Sequence, residues 1–347
     1  MRMIKNRFRN IGSSIGRQGG DGATTRDVRV DNLRERFAGS NRGPAPLTSD
    51  DLAAGIAAGE LFLEYQPMLD WRLGRIAGAE ALVRWHHPMH GDVPPARFIA
   101  LASDARLARS LTDWVIASAA GQAMQWRADG LSLEVSVNLS GRDLEDADLP
   151  DRVERLCQNA ALDTAFLTLE LPEPEVTIAP AQIIDRVTRL HLSGVKLSIE
   201  DFGRCYASLV QLQTVPFAAI RVDLAFVTQM MNDADCRAIV ETLIDVGHDL
   251  GLTSIAEGVE DDELLKTLIE LGCDRVQGNY ISRPIAGDMM PAFVREFESH
   301  TVDDGRSSDP MPAAGPAGGG GGNTLDGPDL TTQSDVRPLY AAGGFSR

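Results

Sequence analysis

In the stretch SIEDFGRC, residues 198–205, two carboxylates stand side by side, Glu200 and Asp201, where an apolar run gives way to glycine. Adjacent carboxylates repel each other and gain nothing from burial unless a positive charge lies between them. Other polar groups share the position: Glu80, Asn138, Glu170, Asp223, Glu257 and Gln277 each stand near the C-terminal end of an apolar run of their own. If those ends converge, so many carboxylates and amides in one cavity call for divalent cations to neutralise them. The ligands are all oxygens, which suits Mg²⁺, Mn²⁺ or Ca²⁺ better than zinc. Such ions polarise a phosphoryl oxygen and lower the pKa of a bound water, so the residues point to metal-assisted chemistry on a phosphate ester.

The elements that must position these groups recur in a regular order. Short β-branched or apolar runs cover 61–67, 76–85, 133–140, 166–171, 195–201, 219–223, 253–258 and 275–280. Amphipathic segments fill the gaps: Leu111, Trp114, Val115, Ser118 and Gln122 share one helical face, and Ile239, Leu243, Ile244 and Val246 to Leu250 another. Eight strands alternating with helices over about 250 residues predict a TIM-like (β/α)8 barrel, whose strand ends meet at one mouth. The link between Pro67 and Ile76 is too short for a crossover helix, so the first strand is expected to run antiparallel to the second.

Composition separates this barrel, 47–300, from its flanks. Residues 1–46 hold ten Lys or Arg against four Asp or Glu and lack an apolar period, predicting a basic, disordered arm. Residues 301–347 are rich in Gly and Pro and read as a flexible tail. The whole chain carries a net charge of −17, and the barrel alone holds 20 basic against 40 acidic residues. That leaves no electrostatic footprint for nucleic acid. Cys157, Cys205, Cys236 and Cys273 are scattered without metal-binding spacing, which suits a reducing, cytoplasmic compartment, and no apolar run is long enough for a transmembrane segment.

Smaller features read as structural. The loop HHPMH, 86–90, is expected to shape a turn through His87 and Pro88. Met230, Met231, Met289, Met290, Trp114 and Trp126 are expected in the core. GGD, 19–21, has no cyclase-sized domain around it, so it carries no cyclase activity.

The motifs YQP (65–67), EALVRW (80–85), HPMHGDVPPARFIALA (87–102), VNLS (137–140), LELPE (169–173), EDFG (200–203), AEGVE (256–260) and QGNYISRP (277–284) resemble, in order, those of the EAL domain family. That family includes phosphodiesterases that linearise the second messenger cyclic di-GMP. The resemblance implies Glu80, Asn138, Glu170 and Asp201 as metal ligands, with Glu200 where the family has an aspartate shared by two Mg²⁺ or Mn²⁺ ions. It implies that Glu257 orients or deprotonates the attacking water and that Arg84 grips a phosphate. Gln66, Leu82, Asp223, Glu260, Gln277 and Pro284 would line the nucleotide cleft. Glu173 would brace the loop after the run 195–201.

Three parts of that constellation depart from the family together. Where it reads DDFGTGYSS this chain has EDFGRCYAS (200–208), and where it reads KID this chain has RVD (221–223). Glu200 extends its carboxylate by about 1 Å, while catalytic groups need placement within about 0.5 Å. Arg221 stands at the position of the catalytic lysine, where a planar guanidinium is no isostere and can itself fill a metal site. Arg204 and Cys205 remove a glycine able to take positive φ and add a cation beside the metals. The two-metal site is therefore expected to be lost or reduced to one ion, giving a bacterial protein that binds cyclic di-GMP with weak or no hydrolysis. Two alternatives stay open: an active phosphodiesterase producing pGpG, and a scaffold acting through a protein partner held by the tails or barrel helices. The resemblance leaves a homodimer open as well.

Overall fold

The structure, a computed structural model, describes residues 46–102, 104–177, 181–204 and 215–303. Eight strands close into a barrel: β1 (Leu61–Asp70), β2 (Arg75–His87), β4 (Glu134–Asn138), β5 (Leu167–Pro172), β6 (Lys196–Phe202), β7 (Ala219–Val222), β8 (Thr253–Ala256) and β9 (Arg275–Gln277). Two short strands extend it, with β3 (Gly91–Val93) forming a hairpin on β2 and β10 (Ile285–Ala286) lying against β1. The eight apolar runs read from the sequence are these eight barrel strands.

β1 runs antiparallel to both its neighbours, β2 and β9, and the other seven run parallel. The short link forces this. Trp71–Gly74 is a tight turn in which the Asp70 carboxylate accepts the Leu73 N–H at 3.0 Å and Gly74 takes φ 63°. No crossover helix fits into so few residues.

Helices cover the outside. Ala105–Ala128 follows the β2–β3 hairpin and packs Leu107, Leu111, Val115, Ile116, Ala119, Ala123 and Trp126 onto the strands. Trp126 is fully buried and donates its indole N–H to the Gly287 carbonyl at 2.7 Å, whereas Trp114 is only half-buried. The helix Ala234–Asp249 turns a slightly different face inward than the sequence predicts. Val240, Ile244 and Gly247 are buried, Ile239, Leu243 and Val246 are half-buried, and Leu250 is exposed. Gly247 explains the rotation, because a Cβ there would meet the Ile220 side chain at 2.8 Å, so the helix comes closest to the sheet at a residue without a side chain. Of the paired methionines, Met230 and Met290 are core residues, while Met231 and Met289 are exposed. His87 shapes its turn as expected, its Nδ1 accepting the N–H groups of Met89 and His90 at 3.0 and 3.3 Å.

The main core lies between strands and helices, and among the described residues a second, small apolar cluster is formed by Met68, Ala219 and Ile255. Polar side chains such as Ser136, Glu170, Ser198 and Arg221 share the lumen with it. Among the described residues no helix is long and apolar enough to cross a membrane. Cys205 and the GGD stretch lie outside the described residues.

Candidate functional site

Side chains alternate between the two faces of a strand, so residues two apart share the lumen. Each strand therefore sends a short column inward: Glu134, Ser136 and Asn138 on β4, Lys196, Ser198 and Glu200 on β6, Arg275 and Gln277 on β9. The upper members of these columns form the mouth.

Arg221 on β7 is the hub of that mouth. It is about 1% exposed and spreads three nitrogens over four partners. Nη1 donates to Glu170 Oε1 at 2.6 Å, Nη2 to Glu80 Oε2 and Gln277 Oε1 at 3.0 Å each, and Nε to Glu257. Burial would lower the Arg221 pKa, but Glu170, Glu257 and Glu80 outweigh it and hold the guanidinium more firmly charged. Glu80 is further tied to Asn138 Nδ2 at 2.8 Å and Gln277 Nε2 at 2.6 Å. Gln277 also reaches Gln66 at 3.1 Å, and Gln66 donates to the Ser282 carbonyl at 3.1 Å.

One guanidinium cannot neutralise the whole ring. Burial pushes Glu170 well above the ordinary carboxylate range, and Glu80 and Glu257 push the same way against Arg221. Glu257 is raised by burial and by Glu80 and Asp201. Glu200, which has no hydrogen-bond or ion-pair partner among the described residues, is raised to about 7 by burial and by Glu257, Glu80 and Asp201.

The β6 edge is held by a second arginine. Asp201 takes φ 54°, a left-handed conformation uncommon for a residue with a side chain, and its carboxylate lies 3.4 Å from Arg204 Nη1. Arg204 Nε donates to the buried Asp223, which also caps the helix Leu224–Gln229 by accepting the Ala225 N–H at 2.7 Å. Glu173 is fully buried and accepts the N–H groups of Gly203 and Arg204 at 3.2 and 2.8 Å, fastening the root of the loop after β6.

Beside the ring lies a groove of about 670 Å³ between β2, β4 and the helix Ala105–Ala128, lined by Leu82, Arg84 and Asn138 among others. That volume is within the range of small-molecule pockets. Arg84 is oriented by Glu64, which accepts its Nε–H at 2.8 Å, a partner that motif reading passed over. In the β1–β2 ladder Arg84 lies opposite Phe62 and Glu64 opposite Leu82, so the two are diagonal neighbours on adjacent strands, a placement that aligning the two runs would have shown. Glu260 is exposed and Pro284 half-buried, and neither has a hydrogen bond to the ring.

Two divalent ions do not fit this arrangement. Glu80, Glu170 and Glu257 all spend oxygens on Arg221, and Asn138 turns its amide N–H₂ toward Glu80. Among the described residues, no group of three or more His, Cys, Asp or Glu is arranged to hold a metal ion.

The EAL domain family pattern matches residues 49–284, the span that builds the barrel and all of this mouth. The chain belongs to the EAL domain family. Curated relatives include the oxygen sensor protein DosP of Escherichia coli, 34% identical over 244 residues, 70% of this chain and 30% of that protein. The cyclic di-GMP phosphodiesterase NbdA of Pseudomonas aeruginosa is 35% identical over 249 residues, 72% of this chain and 32% of that protein. The chain thus spans about a third of the length of these relatives. Among solved EAL structures, the PaMucR phosphodiesterase in complex with c-di-GMP has a TM-score of 0.67 at 32% identity, covering 70% of this chain and 98% of that one. The FimX EAL domain from Pseudomonas aeruginosa bound to c-di-GMP has a TM-score of 0.62 at 26% identity, covering 68% and 95%.

Proposed function

We propose that this EAL domain binds cyclic di-GMP at the barrel mouth and hydrolyses it weakly or not at all. The supporting observation is the Arg221 hub: a fixed cation takes up three carboxylates that the family resemblance assigns to metals and water. A planar guanidinium with three nitrogens committed is not displaced cheaply, because freeing it strands buried charges. In this reading Leu82, Arg84 and the groove beside Asn138 receive one side of the dinucleotide, with Arg84 on a phosphate. Gln66, Gln277, Asp223, Glu260 and Pro284 border the rest. Any remaining Mg²⁺ or Mn²⁺ would be held by Glu200 and Asp201, neither of which is tied to Arg221. The barrel, 47–300, works in the cytoplasm, with the basic arm 1–46 and the tail 301–347 available to a protein partner.

The test is to mix purified protein with cyclic di-GMP and Mg²⁺ or Mn²⁺, following the heat of mixing and the appearance of linear pGpG. Binding heat without product is expected in the wild-type protein, and the E200D/R221K double variant should release product. Wild-type turnover near one per second would overturn the proposal in favour of an active phosphodiesterase. Neither heat nor product would favour the scaffold. A double variant that stays silent would show that other residues disable the site.

A further inference from the structure

Below the mouth the lumen is hollow. Barrel interiors are ordinarily filled by layers of Val, Ile and Leu. Here the layer beneath the acid ring is built from Gly78, Ser136, Ser198 and Ala219, and their small side chains leave a chamber of about 260 Å³. It opens toward the N-terminal ends of the strands, opposite the mouth, between Glu134, Lys196 and Arg275, whose side chains are 20–37% exposed.

The chamber gathers unmet hydrogen bonds. Among the described residues six buried side-chain polar atoms lack a partner, and four of them belong to residues lining this space: Ser136 Oγ, Ser198 Oγ, Glu170 Oε2 and Arg275 Nε. Ser136 lies beside the Glu170 carboxyl and favours its charged form, although the contact falls outside hydrogen-bond geometry. A buried polar atom with no partner at all would cost about 1–3 kcal/mol, so the four without a protein partner are met by whatever fills this space.

The chemistry of the occupant follows from what is free. The charges at the opening are paired with each other: Lys196 Nζ lies 2.6 Å and Arg275 Nη1 3.1 Å from Glu134, while Arg275 Nε, 3.9 Å from Asp70, is beyond hydrogen-bond reach of it. Glu170 is already joined to Arg221 through its other oxygen. An ion would have to compete with these pairs, whereas a neutral molecule would not. The open valences are one N–H donor, one carboxylate acceptor and two hydroxyls able to do either, with Thr168 and Thr253 adding hydroxyl-bearing side chains to the wall. Groups that both donate and accept at every position are alcohols. At roughly 30 Å³ per water the space holds about eight waters, or one short polyol with a few waters remaining.

We infer that the floor of the barrel is a binding site for a small neutral polyhydroxy molecule, on the far side of the Glu170–Arg221 pair from the nucleotide mouth. It stands independently of the nucleotide reading. The probe is erythritol, titrated into the full-length protein and followed by saturation-transfer NMR, with sucrose as a polyol too large for the chamber. A saturable erythritol signal in the millimolar range, absent for sucrose, is expected. Ala219→Val fills the chamber and should abolish that signal, with circular dichroism confirming the fold. Ser198→Ala keeps the volume and removes one hydrogen-bonding group, weakening binding by about 2- to 12-fold, and decides the matter if A219V does not fold. No saturable signal, an equal signal from sucrose, or a signal indifferent to both variants would overturn the inference and leave the chamber to water alone.

Discussion

The two ends of one barrel treat the same chemical group in opposite ways. At the mouth, burial and neighbouring acids push Glu170, Glu200 and Glu257 above the usual carboxylate range. At the floor, burial of Glu134 is outweighed by Lys196 and Arg275, and its pKa is lowered. The floor matches one carboxylate to two cations, while the mouth asks one guanidinium to serve three carboxylates. The floor is therefore at electrostatic rest, and the mouth retains a demand for positive charge that a cation can meet. A barrel can thus carry a stabilising ring and a strained one about the same axis, provided a layer of small residues keeps them apart.

The largest test of this contrast removes the hub. Arg221→Met strands three buried or half-buried carboxylates, and breaking such a cluster costs roughly 3–5 kcal/mol, or about 6–20 °C in thermal midpoint for a domain of this size. Scanning calorimetry should show that drop, with added Mg²⁺ or Mn²⁺ recovering more of it in the variant than in the wild type. An unchanged midpoint would mean that Arg221 neutralises nothing of consequence.

Next in size is the pH response of the mouth. Burial and the neighbouring acids raise Glu200 to about 7 in the folded state, against an ordinary value of 4.5 when unfolded. Between those values the native state binds more protons than the unfolded one, so this group makes stability fall as pH rises from about 4.5 to 7. Melting curves at pH 5 and pH 8 should differ less in Glu200→Gln than in the wild type. Equal slopes in the two proteins would place the titration elsewhere in the ring.

The smallest effect is expected at the floor, and with the opposite sign. The lowered pKa of Glu134 stabilises the fold above its unfolded value of 4.5, and that stability is lost as pH falls through the lower native value. Because the pair is partly exposed, Glu134→Gln should cost about 1 kcal/mol or less at neutral pH and nothing under acid conditions, where melting curves of the two proteins should coincide. A cost as large as that of Arg221→Met would erase the distinction between the two ends.

Much of this architecture was open to a reader of the sequence, and the part that was hidden has a physical reason. The barrel strands show as β-branched runs because they are apolar toward the helices, and the reversed β1 shows because four residues cannot span a crossover. The Arg221 replacement was visible as a departure, but its grip on Glu80, Glu170 and Glu257 depends on carboxylates up to 141 positions away in the chain meeting at one guanidinium. The altered loop was visible too, though the salt link from Arg204 to Asp223 was not. The floor was silent because Ser, Thr, Gly and Ala carry no motif. Only alternate-residue columns, traced down each strand, bring Ser136 and Ser198 beneath Asn138 and Glu200.

The reversed first strand has a consequence for where information enters. In a barrel whose strands all run parallel, the chain arrives from the floor. Here β1 descends, so the helix Ser49–Ala58 that leads into it stands at mouth level, with Gly55 against the Trp85 ring and Glu60 accepting the Trp85 indole N–H at 2.9 Å. Trp85 is the immediate chain neighbour of Arg84. The segment that leads into β1 therefore touches the residue next to Arg84 directly, without crossing the barrel.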